Sequence, residues 1–248
     1  MAPLKRPPQI AWPELRARLL REWRPGEHWT LLGPTGRGKT HAALTLASLC
    51  RYTLIIATKR QDPLLSELAK RQLVAKDLSK DVMWAGKAPL PEHQRVIFWP
   101  KANEKLSANA RTAMQAKHIR EALNWADRTG GWAVVIDELQ WVSRNLRLER
   151  ELESLYFQAR TQGVSVIGAA QRPRQVPLLA LNQSSYLLMW QTGDTQDIER
   201  LRELSAGFPR KLIEQCVQQL SVPRHEALFI DAKKMELARV IMPARVPV

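Results

Sequence analysis

Gly33-Pro34-Thr35-Gly36-Arg37-Gly38-Lys39-Thr40 fits the pattern G-x-x-x-x-G-K-[ST] at every position. Its glycines let consecutive backbone N–H groups turn inward around phosphate oxygens. Lys39 is placed to reach the outer phosphates of a nucleoside triphosphate, and the Thr40 hydroxyl is a ligand for Mg²⁺. The flanks suit this reading. His28 to Leu32 is a short apolar run that predicts a strand, and Lys39 to Cys50 is a run of small and apolar residues that predicts a helix. That helix would aim its N-terminus at the phosphates, with His41 completing the loop's contact set.

The next informative stretch is Trp132-Ala133-Val134-Val135-Ile136-Asp137-Glu138, a buried strand ending in two acids. Consecutive strand residues point to opposite faces, but where the chain leaves a sheet both can face one crevice. In triphosphatases with this pairing, the first acid steadies the Mg²⁺ shell and the second orients or deprotonates the attacking water. Asp137 is therefore the expected metal-site carboxylate and Glu138 the expected general base.

A third apolar strand ends in a polar residue: Gly163-Val164-Ser165-Val166-Ile167-Gly168-Ala169-Ala170-Gln171-Arg172-Pro173. In the additional-strand class of these enzymes such a strand lies between the phosphate-loop strand and the Asp-Glu strand. Gln171 would then sit beside the γ-phosphate. The set GPTGRGKT, VVIDE and ARTQGVSVIGAAQRP resembles the FtsK/HerA superfamily of DNA-pumping ATPases, which includes genome-packaging ATPases of bacterial and archaeal viruses. The resemblance runs over roughly residues 29–204. It implies a RecA-like α/β core with a mainly parallel sheet, ATP and Mg²⁺ as cofactors, and a homo-oligomeric ring, pentameric or hexameric, acting on double-stranded DNA. It also implies an arginine finger supplied in trans. Arg160, ahead of the third strand, matches that position, with Arg172 as the alternate. A capsid portal vertex is a further partner of packaging motors.

Departures from the group narrow the reading. The stretch after Glu203 is short for the winged-helix module of the chromosome translocases. The stretch before the first strand is short for the β-barrel of the HerA helicases. No apolar run approaches the roughly 18–20 residues of a membrane span, unlike membrane-anchored translocases or the Zot-like phage assembly ATPases. The reading is thus a basic motor of the viral packaging kind in the host cytoplasm or at a virion vertex. Two alternatives stay open: a helicase loader or replication accessory ATPase of the AAA+ kind, and a Zot-like assembly ATPase. Gly38-Lys39-Thr40-His41 is similar to the IstB/DnaC-like loaders, whose sensor strand normally ends in Asn, Ser or Thr. Gln171 argues against them.

Around these motifs the chain reads as one α/β core at 29–204, a basic Pro-rich arm and helix at 1–28, and a helix, strand and Pro-containing tail at 205–248. Further helices are predicted over Leu64–Lys76 and Glu104–Arg128, the latter closed by Gly130, and short strands over Val82–Ala85 and Val96–Trp99. Arg144, Arg147 and Arg150 follow the Asp-Glu strand at helical spacing, as either a solvated face or a pore lining. The tryptophans, among them Trp84, Trp99, Trp125, Trp132, Trp141 and Trp190, read chiefly as core.

Composition agrees with this organisation. The chain has 248 residues, 45% of them hydrophobic, so it can bury a full core without cross-links. Lys and Arg number 38 against 24 Asp and Glu, a net charge of +14, which points to polyanionic partners. The excess is spread along the chain, with an acidic dip around Asp137 and Glu138, as suits a folded surface that follows a nucleic-acid backbone. The two cysteines, Cys50 and Cys216, exclude a disulfide framework or a four-cysteine zinc site.

Overall fold

Strands too apolar to leave one face wet must be covered on both, and the fold follows from that requirement. The computed structural model describes residues 6–82, 94–100, 104–158, 161–194, 196–197, 199–200, 208–243 and 246. The strands are β1 (His28–Leu32), β2 (Tyr52–Ile56), β3 (Leu73–Ala75), β4 (Gln94–Phe98), β5 (Ala133–Ile136), β6 (Ser165–Ala170), β7 (Ser184–Trp190), β8 (Glu226–Asp231) and β9 (Glu236–Ile241). They form one sheet in the order β3-β4-β2-β5-β6-β1-β7-β8-β9. Every pairing from β3 through β7 is parallel, and β8 and β9 add an antiparallel extension. The strand ending in Gln171 does lie between the phosphate-loop strand and the Asp-Glu strand. This is a RecA-like P-loop α/β architecture.

The helices are α1 (Trp12–Glu22), α2 (Lys39–Ala47), α3 (Pro63–Leu68), α4 (Leu78–Asp81), α5 (Ala108–Thr129), α6 (Glu149–Phe157), α7 (Leu178–Asn182) and α8 (Arg210–Gln218). They cover both faces, and strand alternation sorts the core between them. Leu54, Ile56, Val134 and Ile136 pack with Ile119 and Leu123 of α5, Leu152 and Leu155 of α6, and Ile213 of α8. Their neighbours Ile55, Ala133 and Val135 pack on the other face with Leu15 and Leu19 of α1 and Ala42, Ala43 and Leu46 of α2. Each fully buried leucine or isoleucine contributes about 1.5–3 kcal/mol. The parallel strands therefore hold fixed register, and their C-terminal ends form one stable rim.

Several expectations need correction. The helix predicted over Leu64–Lys76 stops at Leu68, and Leu73–Ala75 forms β3, an edge strand. In place of a strand from Val82, the chain makes α4 at Leu78–Asp81 with Val82 just beyond it, and residues 83–85 lie outside the described residues. The supposed tail contains β9. The long helix starts at Ala108, where Ser107 Oγ accepts from the Ala110 N–H. Arg144, Arg147 and Arg150 are exposed, but they span a π-helical turn (Trp141–Asn145) and the start of α6 rather than one helix. Trp125, Trp132 and Trp190 are core residues. Trp99 and Trp141 are only half-buried, and Trp84 lies outside the described residues.

The extension binds the two ends of the chain to the core. Asp231 on β8 is fully buried and receives Arg18 Nη2 of α1 at 2.7 Å. Glu226, also buried, pairs with Arg239 of β9 and with Arg6. The N-terminal arm lies along β9: Arg239 N–H donates to the Pro8 carbonyl and Ile10 N–H to the Arg239 carbonyl.

Candidate active site

The loop Gly33–Gly38 leaves the C-terminal end of β1 and enters α2. Gly38 adopts φ +93°, a left-handed conformation that glycine takes without a Cβ penalty. Gly33 is demanded by space. A Cβ there would meet Trp190 Cβ at 2.8 Å, so the loop can hug β7 only with no side chain. Lys39 Nζ is folded back onto the Pro34 carbonyl at 2.9 Å. Burial pushes the Lys39 ammonium below its ordinary value, and the nearby Asp137 and Glu138 carboxylates offset that only in part. A desolvated cation held by one carbonyl is well prepared to receive an anion.

Register brings the three motifs together. Ile136 stands opposite Gly168, and Leu32 opposite Ala170, so the residues that follow β5, β6 and β1 share one rim. There Thr40 Oγ1 donates to Asp137 Oδ1 at 2.6 Å. Gln171 bridges two motifs. Its Nε2 donates to Glu138 Oε1 at 2.9 Å, and its Oε1 accepts from Thr35 Oγ1 at 2.9 Å. An unbroken chain thus runs from the phosphate loop through Gln171 to Glu138. Arg37 and Gly36 lie in the same loop, and Arg37 Nε is buried without a partner among the described residues. His41 turns away from this cluster and its ring contacts the Pro243 carbonyl at 2.7 Å, which ties the chain beyond β9 to the start of α2.

One charged group of the site carries no motif. Lys59, three residues after β2, donates to Asp137 Oδ2 at 2.9 Å and lies 3.4 Å from Glu138 Oε1. Burial opposes its charge, but the hydrogen bond and field of Asp137, with Glu138 behind, prevail and raise its pKa. Two lysines and two carboxylates therefore balance within the crevice. The only sequence signal for Lys59 is its place after a buried strand, which does not reveal that β2 neighbours β5.

Arg160 lies outside the described residues. Arg172, at the end of the Gln171 strand, is half-exposed and pairs with Asp194 at 3.0 Å. The donor set for a divalent cation is one hydroxyl and one carboxylate, all hard oxygen. Among the described residues no group of three or more His, Cys, Asp or Glu side chains converges. That set fits Mg²⁺ delivered with a nucleotide's own phosphates and waters better than a resident metal.

No protein-family model matches the sequence, and no curated protein is similar to it at the sequence level. Solved structures are similar in fold. The genome packaging NTPase B204 from Sulfolobus turreted icosahedral virus 2, in complex with AMPPCP, superposes with a TM-score of 0.61 at 15% identity, over 87% of this chain and 97% of that one. The DNA-packaging ATPase B204 from Sulfolobus Turreted Icosahedral Virus gives 0.57 at 15% identity, over 90% and 100%. VirB4 of Thermoanaerobacter pseudethanolicus gives 0.56 at 13% identity, over 88% and 89%. The fold is thus that of the packaging NTPases which the sequence motifs resemble.

Proposed function

We propose that this chain is a Mg²⁺-dependent ATPase that drives double-stranded DNA, most simply as the genome-packaging motor of a virus, working as a homo-oligomeric ring. The observation that carries the reading is the hydrogen-bonded chain Thr35–Gln171–Glu138 on a β5-β6-β1 rim. It joins the loop that would hold the γ-phosphate to the acid that would activate water. The similarity in fold to proteins described as genome-packaging NTPases supports the choice of task, and the net charge of +14 supports a polyanionic track.

In this mechanism the loop residues Gly33 to Thr40 wrap the phosphates with backbone N–H groups, and Lys39 leaves the Pro34 carbonyl for the β- and γ-phosphates. Thr40 and Asp137 would hold Mg²⁺, which supplies charge neutralisation on the phosphates. Glu138 takes a proton from a water that attacks the γ-phosphorus as the bond to the bridging oxygen breaks and ADP leaves. Gln171, bonded to both Thr35 and Glu138, orients that water and reports the presence of the γ-phosphate. Arg160, or Arg172 once released from Asp194, stabilises the charge developing in a neighbouring subunit's site. Among the described residues no helix is long and apolar enough to cross a membrane.

The test is the steady-state ATPase rate of the full chain, alone and with excess duplex or single-stranded DNA, with Glu138→Gln as the blank. Turnover stimulated by duplex DNA, fading with added salt and lost in Glu138→Gln and Lys39→Ala, is expected. Stimulation by single strands alone would overturn the duplex reading in favour of a loader. Unchanged turnover in Lys39→Ala would overturn the site.

A further inference from the structure

Beside the nucleotide crevice, on the far side of Lys59, lies a second cavity of about 920 Å³. It is bounded by the loops that leave β2, β3 and β4 and by the first half of α5. Four cations line it, Lys59, Arg60, Lys76 and Arg111, against one carboxylate among the lining residues, Glu104. Among the described residues neither Arg60 nor Arg111 pairs with a carboxylate. Arg111 Nη1 donates to the Leu106 carbonyl at 3.0 Å, and its buried Nε has no partner there. Trp99 and Trp141 complete the walls as half-buried rings. The cavity lies outside the phosphate loop, and the charges of Arg60 and Arg111 meet no carboxylate among the described residues.

The wall shared with the crevice is held rigidly. Trp99 Nε1 donates to the Lys59 carbonyl at 3.0 Å, and Gln115 Nε2 of α5 donates to the Thr58 carbonyl at 2.6 Å. Gln115 Oε1 in turn accepts from Trp141 Nε1 at 3.1 Å. The backbone at 58–59 is thereby pinned from both sides, while the Lys59 side chain passes through the wall to Asp137 and Glu138. Indole N–H groups spent on the scaffold leave the ring faces available for apolar and stacking contact.

We infer that this cavity seats the sugar–phosphate backbone of one strand of the DNA duplex, and that its occupancy bears on hydrolysis through Lys59. The inference rests on the reading of the chain as a DNA-driven ATPase and names where the DNA would touch it. Arg60 and Arg111, which have no carboxylate partner among the described residues, together with the Lys59 that the crevice holds, match a polyanion. The half-buried rings of Trp99 and Trp141 offer apolar contact to the deoxyribose of that backbone. A phosphate drawn against Arg60 and Lys76 competes for Lys59 and relaxes its hold on Glu138, so that DNA in the cavity favours turnover.

The experiment uses the full chain and a fluorescein-labelled duplex oligonucleotide. Anisotropy titrations at several salt concentrations compare wild type with Arg60→Glu/Lys76→Glu, with Arg60→Glu alone, and with Lys211→Glu/Arg224→Glu, a control that reverses two exposed charges elsewhere. The cavity pair is expected to lower the slope of log affinity against log salt by about two and to weaken binding about tenfold more than the control pair. Its DNA-free ATPase rate and its affinity for an ATP analogue stay at wild-type level, and stimulation by duplex is lost. Arg60→Glu alone, which disturbs no partner among the described residues, shifts binding and stimulation the same way. If wild type responds to duplex and the cavity variants respond no differently from the control, the cavity inference is overturned and the ATPase reading stands. A wild type that hydrolyses ATP but neither binds nor answers to duplex overturns the translocase reading and this inference with it.

Discussion

Gln171 is the residue on which three separate stretches of sequence converge. Its amide can satisfy Thr35 and Glu138 at once because an amide offers both an acceptor and a donor. Gln171→Ala removes both contacts without touching the phosphate loop's backbone. Turnover should fall about 100-fold, the scale of losing one aligned hydrogen-bonding group at a reacting centre. Affinity for an ATP analogue should stay within a few-fold of wild type. A parallel loss of affinity and turnover would mark the residue as part of the loop's scaffold instead. Gln171→Glu keeps the shape but sets a second carboxylate against Glu138, so it should restore little.

At the level of elements, α1 is clamped to the antiparallel extension by one cation. Arg18 reaches Glu22 on its own helix, Glu236 on β9 and the fully buried Asp231 on β8. Arg18→Ala would leave Asp231 buried and uncompensated, and should cost about 3 kcal/mol in urea unfolding. Arg18→Lys should recover part of that. Removing Glu22 should cost far less, because that contact is solvent-screened. The same elements show what a reader of the sequence can and cannot see. The strands β1, β5 and β6 are mostly apolar runs that end at Gly33, Asp137 and Gln171, and their place as buried strands follows from local pattern. β9 sets its two charged residues, Glu236 and Arg239, three apart rather than on a period of two, and it borders only one partner strand, so it resembles a tail until β8 is beside it. β3 has three residues, two of them exposed, too few to set a period against the helix before it. Lys59 joined the site for a different reason: its partners are fixed by which strands are neighbours, and strand order is not a local property. The sequence likewise held the four cavity cations 52 residues apart, from Lys59 to Arg111, with nothing in the spacing to gather them.

At the scale of the molecule, acid should loosen the extension before the nucleotide rim. Burial tends to raise the Glu226 carboxyl, but the Ser221 N–H and the Arg239 guanidinium outweigh it and hold its pKa below the usual 4.5. A carboxylate depressed on folding contributes stability that is fully present above the unfolded value and is lost as pH falls through the folded one. Below about pH 4.5, therefore, amide hydrogen exchange in β8 and β9 should rise before that in β5 and β6. Glu226→Gln should remove the pH dependence of this early step. Equal exchange onset in all four strands would contradict it.

The arm along β9 has a further consequence. Pro7 and Pro8 offer carbonyls to Arg239 but possess no N–H of their own. Strand pairing is a reaction that repeats wherever a fresh row of donors and acceptors is presented. Two imino acids laid along the last row remove two of its donors, so the row is a poor template for a further strand. For the ring proposed above, such an edge would keep sheet-to-sheet addition from competing with the contacts that join its copies.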